Sequence, residues 1–237
     1  MNKTIRCYNC GKELNKGDET REHIPAKTLF EGYDKKYKEK RIIVPACFEC
    51  NNKYSLTDEE FRNLVGVIAK RKENHPITDK TIRSILRKDS SFSRLQFNQF
   101  GQVSNVEFCE QQIKEFHIKN FKGLFYYQYG YPLPKNYELY VNIDEEDYSE
   151  PTLSIIRYLE EFFESKYSGH PDILSYCIQP LRLDIQKSDR SNLELRKGED
   201  IIVGILSYNR EHAALVYAIK KEFLEKIKTK LENEKLA

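Results

Sequence analysis

The 237-residue chain has no run of about 18 apolar residues, so no segment of it reads as a membrane-spanning helix. It has only ten glycines, too few for a collagen-like chain. Residues 1–10 are polar and lack the apolar stretch of a secretory signal, so a cytoplasmic location and no membrane partner are expected. Internal repeats, low-complexity tracts and long heptad arrays are absent as well. The composition is that of a folding chain, with 39% hydrophobic, 12% aromatic and 32% charged residues. That mixture excludes an intrinsically disordered protein, and the length suffices for a core without covalent staples.

Cysteine is used sparingly but not at random. Four of the six form two tight pairs, Cys7-x-x-Cys10 and Cys47-x-x-Cys50, while Cys109 and Cys177 stand alone. In a reducing compartment two such pairs read as a four-thiolate site for structural Zn2+. The lone cysteines read as small buried hydrophobes.

The net charge of +2 hides an asymmetry. Residues 1–95 carry 21 Lys and Arg against 14 Asp and Glu, and the remainder carries 18 against 23. A basic half that also holds the zinc cysteines suggests a polyanionic partner.

The hydrophobic pattern points to an α+β chain. Residues 41–46 form a brief β-branched run, and helices are predicted over 57–75, 78–88, 107–121 and 150–166. Strands are predicted over 137–143, 176–185 and 201–208, and a terminal amphipathic helix carries Ile219, Phe223, Ile227 and Leu231. The aromatic stretch 123–134 follows the third helix, and its Tyr126, Tyr127, Tyr129 and Tyr131 read as a half-buried core edge. The Asp- and Ser-rich stretch 89–93 marks a boundary between units 1–92 and 93–237.

Between the cysteine pairs lie Glu22 and His23, and Asn51 and Asn52 follow Cys50. Four thiolates leave zinc no open position, so its task is to hold these two segments together. A carboxylate and an amide oxygen brought close are hard ligands suited to Mg2+ or Mn2+. An adjacent imidazole takes a proton from water near neutral pH, and base, metal and phosphate together make phosphodiester hydrolysis.

These residues resemble the HNH, or ββα-metal, nuclease superfamily. The matching elements are Cys7-x-x-Cys10, Glu22-His23-Ile24 with Leu29 and Phe30, Val44-Pro45-x-Cys47-x-x-Cys50-Asn51, and Ser55 with Asp58 and Glu59. The layout is similar to that of phage Holliday-junction resolvases, and Lys122-Gly123-Leu124-Phe125-Tyr126-Tyr127 looks like a segment of many bacterial HNH proteins. The resemblance implies a zinc-stapled ββα-metal module in residues 1–92, with a recognition or partner-docking α+β domain in 93–237. It further implies a catalytic divalent ion on Glu22 and Asn51, and His23 as general base. It places Lys35, Lys36, Lys38, Lys40 and Arg41 against a nucleic-acid backbone, DNA being the expected substrate, with Lys53 a further candidate contact. It also implies a homodimer, and a role in antiphage defence beside an ATPase or another defence-system protein.

Two positions depart from the superfamily pattern: Glu22 stands where Asp is commoner, and Ile42 replaces a middle Asn. They support the alternative expectation of a non-catalytic zinc module that binds nucleic acid or protein. His75, His117, His170 and His212 have no neighbouring His or Cys at ligand spacing and read as packing or surface residues. Lys70, Arg71, Lys72, Arg83, Arg87 and Lys88 are a second basic set. The acidic run Asp144, Glu145, Glu146, Asp147 with Glu150 reads as a solvated loop without catalytic role.

Overall fold

Strands β1 (Glu19–Ile24) and β2 (Ile42–Cys47) form an antiparallel hairpin, with Glu22 opposite Val44 and His23 opposite Ile43. A 3-10 turn (Lys27–Phe30) and a short helix α1 (Lys35–Glu39) fill the connection. Helix α2 (Phe48–Lys53) follows β2 without a loop, and α3 (Ser55–Ala69) and α4 (Thr78–Arg87) come next. The computed structural model describes residues 4–15, 17–69, 77–87, 95–101, 103–143, 148–184 and 193–236. The expected boundary at 92/93, His75, Lys70, Arg71, Lys72, Lys88 and the acidic residues 144–147 lie outside them.

A ribbon of β3 (Leu95–Phe97) and β4 (Val103–Val106) leads into the longest helix, α5 (Glu110–Tyr129). Gly130 ends it in the left-handed region, at φ 78°, with its N–H on the Tyr126 carbonyl. Then come β5 (Tyr137–Asn142), α6 (Glu150–Phe162) with Pro151 in its first turn, β6 (Lys166–Tyr167), β7 (Ser175–Leu183), β8 (Leu195–Lys197), β9 (Ile201–Tyr208), β10 (His212–Lys220) and α7 (Lys221–Leu236). These strands make one antiparallel sheet in the order β5-β10-β9-β7-β6, with β8 also on β7. The chain is α+β, with its cysteine cluster at the N-terminal end.

Both faces of the sheet are covered, and side-chain alternation separates them. Tyr176, Ile178, Ile202, Leu206, Val216 and Ala218 join the core that includes α5 and the hairpin. Cys177, Leu181, Ile201, Val203 and Leu215 face Ile155 and Leu159 of α6 and Phe223 of α7. Helix α5 is therefore central and buries residues around most of its circumference. Two glycines permit its position. A Cβ on Gly123 would lie 2.4 Å from Ile24 Cδ1 of β1, and one on Gly204 of β9 would lie 2.7 Å from the Phe121 ring. Ser168 fastens the hairpin to the sheet, donating to the Ile24 carbonyl and accepting from the Ile42 N–H at 3.0 Å. The buried core thus contains side chains from both of the units expected from sequence.

Three sequence expectations are corrected. The aromatic stretch after residue 121 continues α5 to Tyr129, because Gly123 packs against Ile24 instead of breaking the helix. Ile219 belongs to β10, not to the terminal helix, which starts at Lys221. Cys109, read as a buried hydrophobe, is exposed where it caps α5, while Cys177 is buried. Among the described residues no helix is long and apolar enough to cross a membrane.

Candidate functional site

The first cysteine pair sits in a tight turn in which the Cys7 carbonyl accepts the Gly11 N–H at 3.0 Å. The second pair spans the β2–α2 junction, where Cys47 ends the strand and Cys50 lies in the following helix. The four Sγ atoms lie within 4.8 Å of one another, and all six cysteines are free thiols. Cys10 Sγ and Cys47 Sγ are 3.9 Å apart. Tetrahedral zinc–thiolate bonds place sulfurs about 3.8 Å apart, so the tetrad can hold a zinc ion. Asn9 supports it from outside: its Nδ2 donates to Cys50 Sγ at 3.4 Å and to Tyr54 Oη at 3.2 Å, and its Oδ1 accepts from Lys122 Nζ at 3.1 Å.

Strand alternation sends Glu22 and His23 to opposite faces of β1. Glu22, 5% exposed, points into the core. There the fully buried Lys119 of α5 places Nζ 3.0 Å from Glu22 Oε1 and 2.7 Å from both Asp58 oxygens. Glu22 Oε2 is buried without a hydrogen-bond partner. Burial pushes the Glu22 carboxyl up to about 7 against the pull of Lys119. Asp58 is raised by burial too, again opposed by Lys119.

His23 is half-buried, and its Nδ1 is buried without a partner. Burial, then the charges of Arg41, Lys27, Lys119 and Arg21, lower its pKa to about 4. The ring is neutral at pH 7, can accept a proton, and stands among cations. Asn51 is half-buried on α2, which packs against β1. Among the described residues no hydrogen bond joins Asn51 to Glu22 or His23.

The basic residues divide. Lys35 pairs with Glu39 at 3.7 Å, and Lys36 pairs with Asp34 at 3.4 Å beside the Tyr37 ring, all on the solvent side of α1. Lys38 is half-buried and Lys40 exposed. Arg41 packs its guanidinium over Phe30, 5.6 Å from the ring centre, close enough to depress His23. Lys53 lies over the Tyr54 ring at 5.2 Å. In α4, Arg83 and Arg87 donate to backbone carbonyls of their own helix. Glu150 of the acidic run opens α6 and pairs with Arg157 at 3.8 Å.

Sequence reasoning did not find Lys119. Its one signal is a lysine three residues after Phe116, on the helix face that carries that ring. Nor does spacing show that His117 and His212 pair, with their Nε2 atoms 2.9 Å apart and rings stacked at 5.1 Å. His170 Nδ1 lies 3.6 Å from Asp172.

Compared with known proteins, the chain matches no family model, no curated protein and no solved structure.

Proposed function

We propose that this chain is a metal-dependent endonuclease of the HNH type that hydrolyses phosphodiester bonds, with DNA as its substrate. The observation that carries the reading is a neutral His23 near Arg41, Lys27 and Arg21, with the buried carboxylate of the adjoining Glu22 on the opposite face of the same strand. The strand-strand-helix order of β1, β2 and α2, stapled by the cysteine tetrad, supports it further.

The residues fit a divalent ion by their donor chemistry. Glu22 Oε2 is a buried oxygen lacking a partner, and with both carboxyls ionised Glu22, Asp58 and Lys119 sum to one negative charge. Asn51, next to Cys50, supplies a second oxygen on the stapled helix. Glu22 and Asn51 would hold the ion, whose charge would offset that building on the phosphate and the departing 3′ oxygen. His23 takes the proton of the attacking water as its oxygen bonds to phosphorus. The P–O3′ bond breaks and the 3′ oxygen takes a proton from solvent water, leaving a 5′-phosphate and a 3′-hydroxyl. Arg41, Lys27 and Arg21 draw the anionic backbone toward the ring.

One observation favours a second reading. The Lys119 ammonium already occupies one oxygen of Glu22, as suits a zinc module that binds nucleic acid without cutting it. Incubating the purified chain with plasmid DNA in Mg2+ or Mn2+ separates the two. The endonuclease reading expects nicking that stops when the ion is omitted and ends that DNA ligase can reseal. Salt-sensitive binding with no nicking in either ion supports the second reading instead.

A further inference from the structure

A groove of about 870 Å³ runs between the first cysteine turn and the segment that follows α5. Arg6 and Lys12 come from the turn, Lys122 from α5, and Tyr131 and Lys135 from the segment after it. Among the described residues no Asp or Glu lines it. Arg6 is held by Glu13 outside the groove at 2.9 Å. Lys122 is committed to Asn9 and offsets the net negative charge that zinc and four thiolates carry. Lys12 and Lys135 are exposed. Tyr131 is 48% exposed and sits edge-on to Phe125 at 5.3 Å, so it is anchored yet open to solvent.

Two links lead from the groove's lining toward the proposed catalytic residues, none of which lines it. Lys122 lies one helical turn beyond Lys119, and Asn9 bonds Cys50, the neighbour of Asn51.

We infer that this groove binds a single strand of nucleic acid leading away from the cleavage site, with phosphates on Lys12 and Lys135 and a base stacked on Tyr131. The inference rests on the endonuclease reading for its direction, but the binding does not need cleavage. Clustered cations alone would suit any polyanion. The open tyrosine face selects a strand with unpaired bases, because duplex bases already stack on one another.

The test is fluorescence anisotropy with a labelled oligothymidylate on the full chain, without added divalent ion, zinc content and melting temperature being checked for every variant. Lys12→Glu with Lys135→Glu should weaken binding at least tenfold and flatten its salt dependence, each lost phosphate contact removing about 0.7 from the slope. Tyr131→Ala should weaken binding at least fivefold for the single strand and leave duplex binding unchanged. Lys197→Glu on β8, outside the groove's lining, should bind as wild type does. Variants that bind the strand as tightly as wild type overturn the groove, while wild-type cleavage of plasmid leaves the endonuclease reading standing. Heparin binding as tight as that of the single strand, together with single-strand binding that Tyr131→Ala leaves unchanged, overturns the single-strand assignment. If the groove variants lose binding but wild type never cuts, the groove stands and the endonuclease reading falls.

Discussion

Lys119 Nζ lies 3.0 Å from Glu22 Oε1 in a position closed to solvent, and the same ammonium takes both oxygens of Asp58. One buried cation from α5 therefore ties the hairpin to α3. Removing one partner of such a cluster leaves charge in a low-dielectric interior without compensation. Lys119→Met is expected to lower the unfolding free energy by about 3 kcal/mol or more. Urea denaturation reads this, and a loss below about 1 kcal/mol would mean that water reaches the carboxylates.

Helix α5 can reach Glu22 only because residue 123 has no side chain. Gly123→Ala puts a methyl on Ile24 and moves Lys119 away from the strand. The expected cost is about 1–3 kcal/mol, the range for overpacking a filled core. Thermal melting together with the cleavage rate checks it: both should fall, whereas an unchanged melting temperature would show that Ile24 gives way freely.

The zinc prediction is separate from catalysis. Replacing any one of Cys7, Cys10, Cys47 or Cys50 with Ala should unfold the hairpin end of the chain, since ligand binding and folding are coupled at closed sites. Metal analysis of freshly purified protein should find about one zinc per chain, and less than about half an equivalent would contradict the tetrad.

The His117–His212 pair predicts an acid-sensitive stability. Burial holds His212 down to about 4, and burial plus the His212 charge hold His117 well below its ordinary value. Both rings are neutral in the fold and take up protons more readily when unfolded, near pH 6.5. Their contribution is therefore complete above about pH 6.5 and is lost as the pH falls toward 4. The raised carboxyl of Glu22 acts in the opposite sense, so the comparison needed is between wild type and His212→Asn. The denaturation midpoint of wild type should drop more steeply between pH 7 and pH 4.5, and parallel curves would exclude the pair as the cause.

Elements with clear periodicity were legible in the sequence. Strand β9 matches the predicted 201–208, and α4 (Thr78–Arg87) matches 78–88 within a residue. Strand β10 was hidden because both sheet faces are covered, so its run from His212 to Lys220 lacks polar alternation and Ile219 fits a helix equally well. The cysteine tetrad was legible because metal spacing is a local signal. Lys119 was not, because its partners Glu22 and Asp58 are distant in sequence and only the fold of α5 between hairpin and sheet joins them. The pairing of His117 with His212 was hidden for the same reason.

The most direct measurement of the central claim is plasmid cleavage by wild type and His23→Ala under single-turnover conditions in Mg2+ or Mn2+, with zinc content and melting temperature matched. General-base catalysis contributes about 100-fold or more, so the variant should cut at least that much more slowly. His23→Ala cutting at the wild-type rate would contradict the account.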